Sequence, residues 1–223
     1  PEVPEKQYVH GTDQEIRPSI LLMIESMLTV LIAYLIGSLS FAVILSRAFG
    51  MPDPRGYGSG NPGATNVLRS GRKAVAALTL LGDALKGVVA VLLARWATAA
   101  YGLPDFLPAL AGLAVLLGHI WPVFFGFQGG KGVATALGVL LALSPWLGLA
   151  CAVSWALVFA LTRVSSLSAL VAAGAAPLYV WLLNGNAVET AAIAGLAALI
   201  FWRHKANIAR LLSGEEAGFK KRA

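Results

Sequence analysis

The chain has 223 residues, of which 57% are hydrophobic and only 13% charged, with a mean hydropathy of +0.73 and a net charge of +6. A soluble domain carries about a quarter charged residues, so there is too little polar side chain here to cover a water-facing surface, and a soluble fold is excluded. The single cysteine, Cys151, excludes a disulfide framework and a thiolate zinc site, and no His/Cys/carboxylate cluster has metal-ligand spacing.

In chain order, residues 1–19 form a polar N-terminal extension that does not begin with methionine. It is read as a processed or appended end and kept out of the fold argument. Four runs then lack Asp, Glu, Lys and Arg altogether: Ser26–Ser46 (21 residues), Phe106–Gly130 (25), Gly132–Thr162 (31) and Val164–Val188 (25). A spanning helix needs about 20 apolar residues. The predicted spans are 20–47, 74–97, 105–122, 132–144, 146–162, 165–183 and 187–202, within a transmembrane domain over 20–212. A basic tail, 213–223, follows. The run from Gly132 is long for one span, but Ser144-Pro145-Trp146 breaks it, because proline cannot continue a helix. Cys151 falls inside an apolar run and reads as a small core or lipid-facing residue.

Charge sets the orientation. Seven spans put 47–73, 123–131, 163–165 and 203–223 on one side. Those regions hold Arg47, Arg55, Arg69, Arg72, Lys73, Lys131, Arg163, Arg203, Lys205, Arg210, Lys220, Lys221 and Arg222, which is 13 of the 17 basic residues. The positive-inside rule makes that side cytoplasmic. The expectation is an all-α integral membrane protein of seven transmembrane helices, N-terminus outside and C-terminus in the cytoplasm. No internal repeat is visible.

The polar chemistry gathers on the same face. In GSGNPGATNVLR (58–69), the glycines permit a backbone that turns several N–H groups inward as an anion nest, ahead of a helix bearing Thr65, Asn66 and Arg69. In QGGKGVAT (128–135), Gly129, Gly130 and Gly132 flank Lys131 just before a helix start, an arrangement suited to phosphate. Lys131 is followed by Gly132, so this is not a GxxxxGK[ST] nucleotide loop. One such loop could be a tight connection; two on one face, each with a cation, point to an anion site. Arg72 and Lys73 read as topogenic charges. Asp83 and Lys86, three apart in an apolar span, form either a structural ion pair or a wall of the polar site. His119 either bonds at a helix end or lines the site. His204, Asn207 and Arg210 share a helical face, as solvated tail or as site.

GSGNPGATNVLR, GHIWPVFFGFQGGKGVAT, TRVSSLSA and RHKANIARL, in this order, closely resemble the bacterial acyl phosphate:glycerol 3-phosphate acyltransferases (PlsY), over about residues 26 to 216. The resemblance implies seven transmembrane helices in the bacterial plasma membrane and a site open to the cytoplasm. It also implies transfer of a fatty acyl group from acyl phosphate to the 1-hydroxyl of glycerol 3-phosphate, yielding lysophosphatidic acid and phosphate. It assigns Ser59, Arg69, Lys131, His204 and Asn207 to catalysis. Gly60, Gly63, Thr65, Asn66, His119, Gly129, Gly130, Gly132 and Arg210 are assigned to substrate binding. The expected partners are the two substrates and the bilayer, with no cofactor, no metal, no nucleic acid and a monomeric state.

The roles expected are donation by the Gly60–Asn66 backbone and GGKG to the acyl phosphate, with Arg69, His204, Asn207 and Ser59 placing glycerol 3-phosphate. No histidine begins a His-x4-Asp pair: His10, His119 and His204 are followed five positions on by Glu15, Phe124 and Ala209. No Ser-His-Asp set is apparent either. Carboxylates near that face are few (Asp53, Asp83, Glu215 and Glu216), so a phosphate oxygen of the donor is the expected proton acceptor. The alternative is a transporter for a phosphorylated metabolite, against which stand the one-sided polar clusters and the missing repeat.

Overall fold

A computed structural model describes residues 19–219; the extension before Ser19 and the tail cations Lys220, Lys221 and Arg222 lie outside the described residues. Among these there is no strand. Ten helices follow in order: α1 (Ser19–Gly37), α2 (Phe41–Ala48), α3 (Ala64–Arg69), α4 (Lys73–Tyr101), α5 (Leu107–Ile120), α6 (Val133–Leu143), α7 (Pro145–Thr162), α8 (Ser165–Asn184), α9 (Ala187–Arg203) and α10 (Lys205–Leu212). A 3-10 turn, Val123–Phe125, extends α5.

Among the described residues, five segments are long and apolar enough to cross a bilayer: Ser19–Gly37, Lys73–Tyr101, Leu107–Phe125, Pro145–Thr162 and Ser165–Asn184. Helix α6, with 11 residues, rises only about 16 Å, well short of a hydrocarbon core of about 30 Å. The expected break at Ser144 is present. Ser144 ends α6 and caps α7, its hydroxyl accepting from the Leu147 N–H, and Pro145 takes the first helical position, where a missing N–H costs nothing.

Two expected continuous helices are interrupted. The span drawn over 20–47 is two helices, α1 and α2, parted at Ser38–Ser40. The freed carbonyls of Gly37 and Leu39 are taken by Lys86 Nζ from α4, at 3.0 and 2.8 Å. Irregular backbone at membrane depth needs such a partner, and a buried ammonium supplies it. Likewise His204 interrupts the last helix, so α9 and α10 are separate.

Packing is inverted relative to a soluble protein. Large apolar side chains such as Met23, Met27, Leu31, Leu81, Leu92 and Leu182 point outward. The core instead holds Ala33, Ala90, Ala94, Ala111, Ala114 and Ala173 beside Val91, Val115 and Leu116. Lipid is as apolar as leucine, so helices associate through close fit and small residues at crossings. Gly118 of α5 meets the Tyr34 carbonyl of α1, and Gly37 meets the Val115 backbone. Gly138 of α6 meets the Ala84 carbonyl of α4, and Gly87 meets the Thr135 carbonyl; a methyl group at any of the four would overlap that backbone.

Candidate active site

Four polar segments converge at one end of the bundle. Asp53 and Arg55 form a fork, with Arg55 Nε and Nη2 donating to Asp53 Oδ1 and Oδ2 at 2.9 and 2.7 Å. Arg55 Nη1 then donates to the Phe125 carbonyl at 3.0 Å, tying the first loop to the second. The Arg55 hydrogen bond holds the Asp53 carboxyl below its ordinary value. Buried Asn66 staples the first loop. Its Nδ2 donates to the carbonyls of Pro54 (2.9 Å) and Tyr57 (3.1 Å), and its Oδ1 accepts from the Ser59 N–H (3.0 Å). Gly58 has φ +59°, and a side chain there would strike the Asn66 amide, so glycine is required twice over.

This geometry corrects part of the anion nest. The N–H groups of Ser59, Gly60, Gly63 and Asn66 are bonded within the loop, to Asn66 Oδ1 and the carbonyls of Tyr57, Asn61 and Gly63. They close the turn instead of facing a ligand, and the amide of Asn66 is spent as a loop staple. A short polar loop in a bundle must satisfy its own backbone before it can offer donors.

The second loop is clamped from α9. Arg203 donates from Nη2 to the Gly129 carbonyl (2.9 Å) and from Nε to the Gly130 carbonyl (3.0 Å). The Gly130 N–H returns to the His119 carbonyl at 3.1 Å. Gly129 and Gly130 press so closely on His119 that a side chain at either would overlap it. Gly132, at φ +83°, then turns the chain into α6. Lys131, between them, reaches away from its flanking glycines and donates from Nζ to Asn207 Oδ1 of α10.

At the α9–α10 junction His204 is buried. Its Nδ1 lies 2.8 Å from the Ile200 carbonyl, and that oxygen can only accept, so Nδ1 carries the hydrogen. Burial pushes the ring down to about 4. A neutral His204 therefore keeps Nε2 as an acceptor. Thr65 and Ser165 bring α3 and α8 within hydrogen-bond distance, 3.4 Å between hydroxyl oxygens. The segment after α10 folds back across this end. Glu216 accepts at Oε1 from Ser166 Oγ (2.6 Å) and Asn207 Nδ2 (2.5 Å), and at Oε2 from Arg210 Nε (2.6 Å). Arg69 donates to the Ala217 carbonyl at 3.3 Å and lies over the Phe219 ring.

These segments surround a cavity of about 680 Å³. Of the residues named from the sequence, Ser59, Gly63, Thr65, Asn66, Arg69, His119, Lys131, Gly132, His204, Asn207 and Arg210 line it. Gly60, Gly129 and Gly130 do not. The first sits in the turn, and the other two shape the loop that projects Lys131. Asp83 also reaches the wall, with Oδ1 at 3.1 Å from Lys86 Nζ and 3.7 Å from His119 Nδ1. The ion pair and the wall are thus both present in one group. The cavity then continues into an apolar arm between α6, α7, α8 and α9, walled by Leu137, Leu140, Ala173, Ala176, Leu196 and Ile200, with Cys151 and Trp155 on its α7 side.

The sequence reading did not single out Ser165, Ser166, Trp155 or Glu216 as site residues. The serines belong to the TRVSSLSA segment, which already stood out as polar. The tail carboxylates in GEE were a fainter sign, an acidic pair in an otherwise basic tail.

The arrangement joins a cationic, donor-rich mouth to an apolar arm, as a site for an anionic headgroup and a hydrocarbon chain requires. A family model described as glycerol-3-phosphate acyltransferase matches residues 27–214. A protein of Thiobacillus denitrificans named glycerol-3-phosphate acyltransferase is 59% identical over 197 residues, covering 88% of this chain and 98% of that one. One from Neisseria gonorrhoeae with the same name is 60% identical over 188 residues, 84% of this chain and 94% of its own. The crystal structure of PlsY (YgiH), described as an integral membrane glycerol 3-phosphate acyltransferase in its glycerol 3-phosphate form, superposes with a TM-score of 0.81 at 39% identity. It covers 87% of this chain and 96% of that chain. Its lysophosphatidic acid form gives 0.80 at 38%. From its loops, its cavity and these matches, the chain is a membrane-embedded member of the glycerol-3-phosphate acyltransferase family.

Proposed function

We propose that this protein transfers a fatty acyl group from acyl phosphate to the 1-hydroxyl of glycerol 3-phosphate, releasing lysophosphatidic acid and inorganic phosphate. The observation that carries the reading is the two-part cavity: Lys131, Arg69, Arg210 and His204 at the mouth, and the apolar arm behind them. An acyl chain fills the arm, and phosphate groups meet the cations.

Lys131 and Arg69 hold phosphate, and Asn207 and Ser59 orient glycerol 3-phosphate. Neutral His204 accepts from a substrate hydroxyl at Nε2. Holding the hydroxyl against the acyl carbon supplies up to about 7–11 kcal/mol in ideal cases. In the reaction the hydroxyl oxygen bonds to the acyl carbon, the acyl carbon–phosphate oxygen bond breaks, and phosphate leaves with that electron pair. The hydroxyl proton passes to a phosphate oxygen of the donor. Protein carboxylates make poor bases here. Asp53 is held by Arg55 and Asp83 is paired with Lys86. Burial would raise the Glu216 carboxyl, but its bonds from Ser166, Asn207 and Arg210 outweigh that and hold it below its ordinary value. An acyl-enzyme is not part of the route, since Cys151 lies in the apolar arm away from the cations.

The same reading arranges the chain in seven membrane crossings. The broken α1–α2 pair serves as the first, α6 and α9 complete the count, and the converging loops face the cytoplasm of a bacterial inner membrane. The 13 basic residues on that side support this orientation. The test is purified protein in detergent with glycerol 3-phosphate and either acyl phosphate or an acyl thioester, following lysophosphatidic acid and phosphate. Turnover with the thioester and none with acyl phosphate would overturn the donor assignment.

A further inference from the structure

Glu216 stands outside the residues that the reaction scheme uses, yet its carboxylate accepts three side-chain hydrogen bonds at the cavity mouth. Its side chain is 7% exposed, against 43% for its partner Arg210. One oxygen receives Ser166 and Asn207, and the other receives Arg210. The consequence lies one residue further in. Asn207 has a single amide, and Glu216 accepts from its Nδ2, so its Oδ1 must face the other way, toward Lys131 Nζ. Without a strong acceptor on the Nδ2 side, the amide is free to rotate and present its N–H2 to the lysine, a donor against a donor.

We propose that Glu216 is a positioning residue for phosphate binding, acting through Asn207 to aim the Lys131 ammonium into the cavity and through Arg210 to hold the second cation beside it. The inference rests on the reading that Lys131 and Asn207 serve glycerol 3-phosphate and its acyl donor.

The electrostatics agree with the geometry. Lys131 is half-buried, and burial pushes it down to about 8, with Arg210, Arg203 and Arg69 pressing the same way and Glu216 opposing them. Neutral His204 lines the same wall. Glu216 is the carboxylate whose charge raises this lysine against those effects. The tail also holds Arg69 through the Ala217 carbonyl and the Phe219 ring, and Phe219 N–H donates to the Arg163 carbonyl at 2.9 Å, which anchors the strap. The carboxylate is therefore fixed in place from both sides.

The experiment compares Glu216→Gln, Glu216→Asp and Asn207→Ala, singly and with Glu216→Gln and Asn207→Ala combined, in purified full-length protein checked for wild-type thermal unfolding. Glu216→Gln keeps the size and loses the charge, and its single oxygen can serve Arg210 or the Ser166–Asn207 side but not both. Its KM for glycerol 3-phosphate should rise about ten- to a hundredfold, and the alkaline fall of kcat/KM should move to lower pH, since a less stabilised ammonium deprotonates sooner. Glu216→Asp keeps the charge and should leave the alkaline fall near its wild-type position. In the Asn207→Ala background, Glu216→Gln should raise KM by less than it does in the wild-type background, because the path through the amide is already cut and only the path through Arg210 remains. An unchanged or lowered KM overturns the inference; a lowered one marks the carboxylate as a competitor for the phosphate seat. Strict additivity of the two substitutions overturns it as well. Failure of the wild-type protein to turn over acyl phosphate would instead sink the reaction reading, and calorimetric titration of glycerol 3-phosphate alone would still decide the role of Glu216.

Discussion

Replacing Lys131 with alanine removes a half-buried cation whose hydrogen-bond partner is a neutral amide. Among the described residues no carboxylate lies within 4.0 Å of it; Glu216 acts on it only from further away and through Asn207, so on the proposed reading substrate phosphate takes the direct counter-ion place. A unit charge pair about 4 Å apart at an effective dielectric of about 20 is worth about 4 kcal/mol. Dehydration of both groups returns part of this, leaving about 2–4 kcal/mol, or about thirty- to a thousandfold in kcat/KM. The assay is initial-rate phosphate release at several glycerol 3-phosphate concentrations from pH 6 to 10, about one pH unit apart. The wild-type kcat/KM should fall about tenfold per pH unit above about 8. The sign follows from the lysine: it binds phosphate protonated and loses its charge as pH rises through its pKa. Lys131→Arg keeps a charge that does not titrate there, so its alkaline fall should disappear even if its rate is lower. An alanine variant within about threefold of wild type, or an arginine variant with an unmoved alkaline fall, would refute the placement of Lys131 on phosphate.

Arg69→Ala should also lose most activity and, unlike Lys131→Ala, should free the Phe219 strap, seen as faster proteolysis of the tail in the purified protein. Gly138→Val drives a side chain into the Ala84 carbonyl at the α4–α6 crossing; overpacking of about 1–3 kcal/mol should lower the unfolding temperature in detergent, while Gly50→Ala, with open space around it, carries only backbone strain. Lys86→Met leaves Asp83 buried without its cation and the Gly37 and Leu39 carbonyls without a donor. The loss should be about 3–5 kcal/mol, partly restored by adding Asp83→Asn, and a Lys86→Met protein as stable as wild type would contradict the capping role. Asp53→Asn weakens the Arg55 fork that joins the first two loops. It should lower the rate only modestly, and complete loss of turnover with both substrates still bound would show that a carboxylate, not the donor phosphate, takes the proton.

Composition and spacing already settled that the chain is membrane-embedded and helical. Long runs without charge cannot be covered in water, and each backbone polar group in lipid must be bonded within a helix. The same physics made the break at Ser144-Pro145 legible, because a proline announces itself locally. The polar face was legible too, since glycine, lysine and arginine gather in few places in so apolar a chain. What stayed hidden depends on partners distant in sequence. The gap between α1 and α2 lies in a run as free of charge as any span, marked only by Ser38 and Ser40, and Lys86, 47 residues on from Leu39, bonds its freed carbonyls. The glycine loop offered its own N–H groups as a phosphate nest, but folding turned four of them, at Ser59, Gly60, Gly63 and Asn66, onto the Asn66 side chain and neighbouring carbonyls. From the sequence Glu216 was one of four carboxylates near the polar face, with no partner assigned, and only the return of the chain over α10 put it against Asn207, Ser166 and Arg210. Residue type decides which groups must be bonded or charged; the distance between helix ends decides which group answers them.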